Sequence, residues 1–146
     1  MHRTVAGVAI AVLALGMASC GGGSKTLTKA DFAKQVNAVC GETQKQMNAA
    51  LNSRQRAGLI AKLPQLAAYE SAQAKKLEAI ASPPELKDQY ARFKASVVAR
   101  HERLVQYAAI FRARRSTTAL EARAKRESEA ARRVARQLGL RSCPSF

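Results

Sequence analysis

Cys20, Cys40, Cys143 and His101 carry the most reactive chemistry in this chain of 146 residues. A cysteine can take up lipid, close a disulfide, ligate zinc, or act as a nucleophile beside a base that withdraws its proton. His101 is the one candidate base beyond residue 2. Its neighbours Arg100, Glu102 and Arg103 supply no nucleophile or orienting carboxylate at a recognisable spacing. Its register with Phe93, Val97 and Leu104 predicts a histidine at the edge of a helical core. Metal-ligand spacing is absent, and Gly21 to Gly23 lacks the preceding strand and the glycine and lysine spacing of a phosphate loop. No catalytic residue, metal or cofactor is therefore expected, and an enzyme is the least favoured class.

Cys20 closes a distinctive N-terminal segment. Met1, His2 and Arg3 form a short basic start, Val5 to Leu15 is nearly all apolar, and Met17, Ala18 and Ser19 are compact residues leading into the cysteine. The arrangement resembles the bacterial lipoprotein signal, with Met17 standing where leucine is usual. That resemblance implies a diacylglyceryl group on the sulfur of Cys20, cleavage on its amino side, and anchorage to the outer face of the cell membrane. The domain reading is a signal over 1–19, a lipidated cysteine with a flexible Gly and Ser linker over 20–27, and a folded domain over 28–146. The alternatives are a plain secretory signal and an uncleaved anchor. Against the latter, the apolar stretch is shorter than the roughly 18 to 20 residues that span a bilayer.

With Cys20 acylated outside the cytosol, Cys40 and Cys143 form an even pair in an oxidising compartment, where such pairs are joined. The other possibility is two separate thiols, one of them a nucleophile with His101 as its base. A bridge would close a loop of about 100 residues, for which chain entropy gives at most roughly 4 to 5 kcal/mol.

Charge is the second strong feature. The chain has 25 Lys plus Arg and 10 Asp plus Glu, a formal +15, or +14 once the leader with Arg3 is gone. From Arg100 to Arg141 the count is 12 bases and 4 acids. Arg112, Arg114, Arg115, Arg123, Arg126, Arg132, Arg133 and Arg136 are the candidate contacts for an anionic surface, against the alternative of an ordinary solvated helix face. Glu121 with Lys125 and Glu129 with Arg133 are spaced for ion pairs on one helix.

These residues must be held by helices, because the composition is rich in Ala, Arg, Lys, Leu and Gln and no segment alternates apolar with polar residues. Thr28 and Asp31 cap a first helix whose apolar stripe of Phe32, Val36, Val39, Cys40, Met47 and Leu51 turns Cys40 inward. A second helix runs from Leu59 to Ile80, with Pro64 at its first turn or at a kink. Ser82 and Glu85 around Pro83 and Pro84 predict a capping box opening a third helix, with a core stripe from Leu86 through Tyr90, Phe93 and Val97 to Phe111. Thr118 and Glu121 predict the same device for a fourth. That helix has a thin seam of Leu120, Ala124, Ala131, Val134, Ala135 and Leu138, and Gly139 ends it with Leu140 as the accompanying apolar contact.

Four amphipathic helices on short connections predict an all-α antiparallel bundle, up-down-up-down, with the first and fourth helices side by side. Cys40 lies several turns into the first helix, so the tail after Gly139 must fold back along it for Cys143 to arrive. The glycine linker, Lys29 to Cys40 and Leu138 to Cys143 together resemble small helical lipoproteins of actinobacteria. That resemblance implies an envelope location and a Cys40–Cys143 pair, and it brings no activity with it. The leading expectation is a binding or structural module of the envelope, contacting anionic lipid, wall polymer or a partner protein. The alternative is a nucleic-acid-binding protein, suggested by a pI near 10.6 but lacking a recognition motif or interleaved stacking aromatics.

Overall fold

A computed structural model of the chain describes residues 27–51 and 56–143. The expected signal over 1–19, Cys20 and all but the last residue of the linker lie outside the described residues. Helix α1 spans Lys29–Ala50, α2 Arg56–Glu78, α3 Lys87–Arg112 and α4 Thr118–Gln137, with a 3-10 turn over Pro84–Leu86 leading into α3. Among the described residues there is no strand. The fold is an all-α four-helix bundle.

Side-chain contacts show the antiparallel order. Lys76 meets Glu42 at 2.7 Å while Lys62 donates to the carbonyl of Ala50, so α1 and α2 run in opposite directions. Lys94 reaches Glu78 at 2.6 Å and Arg100 reaches Gln73 at 2.8 Å, which sets α3 against α2 in the same way. Each helix packs on its neighbour in the chain, most extensively α2 on α3.

The expected direct packing of α1 against α4 is not what closes the bundle. Their backbones do not come together among the described residues. The C-terminal tail takes the place of that contact. Asn37 on α1 accepts hydrogen bonds from the backbone N–H groups of Arg141 and Ser142, both at 2.8 Å, and Cys40 is bonded to Cys143 with the Cα atoms 4.6 Å apart. The turn that aims this tail is a Schellman cap. Gly139 has φ 70°, its N–H donates to Arg136 O, and the Leu140 N–H donates to Ala135 O.

One continuous core fills the disulfide end. Phe32, Val36 and Cys40 from α1 meet Leu77, Tyr90, Phe93 and Val97, while Ala135, Leu138 and Leu140 arrive from α4 and the tail. Phe32 stands edge-on to Tyr90 with centroids 4.8 Å apart, and the Tyr90 hydroxyl donates to Leu77 O at 2.6 Å. Burying each such aromatic contributes about 1.5 to 3 kcal/mol. At the opposite end, Leu51 and Leu59 were expected in the core but are each 40% exposed. No helix comes across from α4 to cover them.

The capping boxes came out unequally. Thr28 accepts from the Asp31 N–H at 3.1 Å, as its spacing predicts. Ser82 and Glu85 form no such box, because the two prolines impose a 3-10 turn whose first residue carries no side-chain cap. At α4 the Thr118 and Glu121 pairing is corrected by one residue: Thr117 bonds Glu121 at 2.5 Å, and Ser116 Oγ accepts from the Thr118 N–H at 3.3 Å.

Helix α3 ends in a second Schellman cap, with Arg114 N–H to Phe111 O and Arg115 N–H to Ile110 O, yet the left-handed position belongs to Arg114 at φ 51°. An L side chain there costs roughly 1 to 2 kcal/mol, partly offset by the greater freedom glycine has in the unfolded chain. Arg114→Gly should therefore raise stability by about 0.5 to 1 kcal/mol, read as a higher urea midpoint; an unchanged or lower midpoint would refute the strain. Cys143→Ser should lower stability by up to roughly 4 to 5 kcal/mol relative to the oxidised protein. A loss under about 1 kcal/mol would mean the tail holds without its covalent bond.

Candidate functional site

Helix α4 positions most of the basic residues. Its narrow apolar seam buries Ala131 and Ala135 and leaves the rest of its circumference to charge. Arg126, Arg132, Arg133 and Arg136 fall on the side away from that seam, and all four are exposed. Arg123 is turned to the flank, where its Nε donates to Glu127 at 2.6 Å. Arg112, Arg114 and Arg115 are also exposed but cluster at the α3–α4 turn. At about 1.5 Å per residue, the 20 residues of α4 separate that cluster by about 30 Å from the helix end near Arg136. The eight candidate arginines thus form two groups at opposite ends of one rod, with a sparse line between them.

The helical ion pairs differ from expectation. Neither Glu121 with Lys125 nor Glu129 with Arg133 forms an ion pair. Glu127 instead collects both Arg123 and, from α3, Arg103 at 2.7 Å. Arg103 is buried, so this carboxylate is held from two sides and fixes the spacing of α3 and α4 at that level. Beside it lies an open groove of about 490 Å³ between the two helices. Small residues, Ser96, Ala99, Ala130 and Ala131, keep its floor low, and Arg92 and Arg133 stand along it.

No family model, curated protein or solved structure matches the chain. The functional reading therefore rests on residues and geometry. Among the described residues no group of His, Cys, Asp and Glu is placed to hold a metal ion, and no helix is long and apolar enough to cross a membrane.

The interior holds a polar layer that periodicity did not single out. Glu70 is 0% exposed and Gln73 1%, both on α2 facing α3. Arg100 Nη2 lies 2.5 Å from Glu70 Oε2 and 2.8 Å from Gln73 Oε1, while Gln73 Nε2 donates to Cys40 Sγ at 3.3 Å. Glu70 Oε1 has no hydrogen-bond partner among the described residues. Next to this layer, His101 Nδ1 is 2.8 Å from Ala67 O, so its N–H ties α3 to α2. His101 is half-buried at the core edge, the place its register predicted. The signal that could have found the layer is the interval from Glu70 to Leu77, which puts Glu70 and Gln73 in line with Leu66 and Leu77 on the inward face.

Burial pushes the Glu70 carboxyl above its ordinary 4.5, against the lowering pull of Arg100, and burial likewise lowers Arg100. A folded-state pKa above the unfolded value means the native state holds this proton longer. This group's contribution to stability thus falls as pH rises through the interval above 4.5, by up to about 1.4 kcal/mol per pH unit. Glu70→Gln should consequently gain stability relative to the native protein between pH 4 and pH 7 in urea titrations. A difference that stays flat with pH would show that Glu70 titrates normally in the fold.

Proposed function

We propose that this chain is an extracytoplasmic lipoprotein, tethered to the cell membrane by lipid on Cys20, whose basic helical surface contacts anionic envelope material. The observation that carries the binding part is the exposed face of α4, where Arg126, Arg132, Arg133 and Arg136 project away from the core with one acid, Glu129, among them. The Cys40–Cys143 bond supports the compartment, since a disulfide of this kind persists where thiols are not kept reduced. The residues before α1 support the anchor through their resemblance to a lipoprotein signal.

Geometry adds a constraint. Eight residues from 20 to 27 reach at most about 29 Å when extended, and α1 begins at the end of the bundle where α4 finishes, about three turns before Cys40. Lys29, Arg136 and Arg141 share that end, because Leu138 and Leu140 pack on the core with Phe32 and Val36. Lys29 is paired with Glu85 and Asp31 lies beside it, so a short tether favours Arg136 and Arg141 as the cations that meet the bilayer first. Each basic residue close to an anionic bilayer adds about 1 kcal/mol within a Debye length of about 8 to 10 Å. The arginines at the α3–α4 turn join them only if the rod lies down along α4.

The test has two readouts on the full-length protein. Intact mass from native membranes should show a chain starting at Cys20 with added acyl mass and two fewer hydrogens before reduction than after; an unacylated chain removes the anchor. The Cys20→Ser protein, oxidised, should bind phosphatidylglycerol vesicles more than phosphatidylcholine vesicles, and weaken as salt rises. Equal binding to both, or none, removes the electrostatic surface.

A further inference from the structure

The α3–α4 groove combines features that an ordinary solvated face does not require. Its wall bears three guanidinium groups, Arg92, Arg103 and Arg133, against one carboxylate, Glu127. That carboxylate is occupied by Arg103 and Arg123, whereas Arg92 and Arg133 have no ion-pair partner among the described residues. Both are exposed and border the groove. Between them the floor is apolar and low, formed by Ala99, Ala130, Ala131 and Val134, and Gln137 offers an amide at the end nearest the disulfide. The adjoining hollow past Arg92 carries Glu85 and Asp88 beside Lys87, so its charges balance and the excess of guanidinium groups lies over the alanines.

We propose that this groove is a site for one phosphate group carried on a short aliphatic skeleton, the chemistry of a glycerophosphate unit. Two guanidinium forks from opposite helices suit a phosphate, whose oxygens accept paired, charge-assisted hydrogen bonds that an ammonium cannot match in geometry. The alanine floor suits methylenes beside the phosphate, since it lets a carbon chain lie against the helices without displacing a large side chain. Arg103, buried and paired with Glu127, forms a fixed wall of the groove without needing to move. The inference rests on the proposed basic surface and narrows it to one place: phosphate recognition belongs to Arg92 and to Arg133, the outward arginine that borders the groove, whereas Arg126, Arg132 and Arg136 supply only general attraction.

The same chemistry occurs in a phospholipid headgroup and in a soluble glycerophosphate, and the experiment separates them. The oxidised full-length Cys20→Ser protein is titrated with dihexanoyl phosphatidylglycerol below its micelle concentration, with glycerol 3-phosphate, and with dihexanoyl phosphatidylcholine as a zwitterionic control. Saturable shifts in the amide resonances of Ala99, Ala130 and Ala131 are expected with the first. Similar shifts with glycerol 3-phosphate assign the glycerophosphate unit alone, and their absence assigns the lipid headgroup with its first acyl carbons. No saturable shift with either anion, or equal shifts with the zwitterion, overturns the site.

Two double variants of equal charge then locate the contact. Arg92→Gln with Arg133→Gln should weaken phosphatidylglycerol binding by about tenfold or more, as expected for loss of charge-assisted hydrogen bonds. Arg126→Gln with Arg136→Gln should weaken it by less than about threefold. An equal loss in both overturns the groove while leaving the basic surface standing. Failure of the native protein to prefer phosphatidylglycerol vesicles removes the surface itself. Unchanged urea midpoints in both variants keep the comparison free of folding effects.

Discussion

The structure depends on the covalent bond between Cys40 and Cys143, together with the hydrogen bonds from Asn37 that lay the tail beside it. The helices pack in series, α1 on α2, α2 on α3 and α3 on α4, and that series does not close by helix contact. The tail closes it. Leu138 and Leu140 reach the core because Gly139 turns the chain back, and Asn37 accepts from the two backbone N–H groups that follow, which fixes the tail along α1. Helix α4, whose seam is mostly alanine, is thus held at one terminus by sulfur, side-chain amide and leucine, and along its length mainly by α3.

Beyond the apolar end, the packing changes character. The layer of Glu70, Gln73 and Arg100 interrupts the hydrophobic core near Cys40. Buried ion pairs of this kind contribute little net stability, because removing two charges from water offsets most of their attraction. Breaking one partner alone leaves a buried charge, so the layer constrains the register of α2 on α3 even where it adds little energy. Past it, Leu51 and Leu59 stay half-open to solvent and the second Schellman cap tolerates an arginine in a left-handed conformation. The molecule has a well-packed end at the disulfide and a looser one at the α3–α4 turn.

Much of this was legible in the residues. The spacing of Phe32, Val36 and Cys40 turns the cysteine inward, and Gly139 followed by Leu140 marks the cap that returns the tail; both are local patterns with local causes. What escaped were features set by partners distant in sequence. Leu51 and Leu59 belong to apolar stripes, yet exposure depends on whether another helix arrives, which their own spacing does not encode. Glu70 reads as a surface acid until Arg100, thirty residues away, is known to face it. The capping box at Thr118 failed because Ser116, Thr117 and Thr118 are near-equivalent caps, so their spacing from Glu121 does not single out one of them. For the candidate surface, composition located the arginines but not their division between two ends, and the α3–α4 groove required Arg92, which lies outside the basic run.

The bond between Cys40 and Cys143 also makes residues 40–143 a macrocycle. A single protease cut anywhere inside the ring, at the α1–α2 connection or at the α3–α4 turn, leaves both pieces covalently linked, so nothing diffuses away from the nicked molecule. Two cuts, or one cut followed by reduction, are needed to free a fragment. A domain exposed to proteases gains from such a ring a persistence that its modest core would not confer.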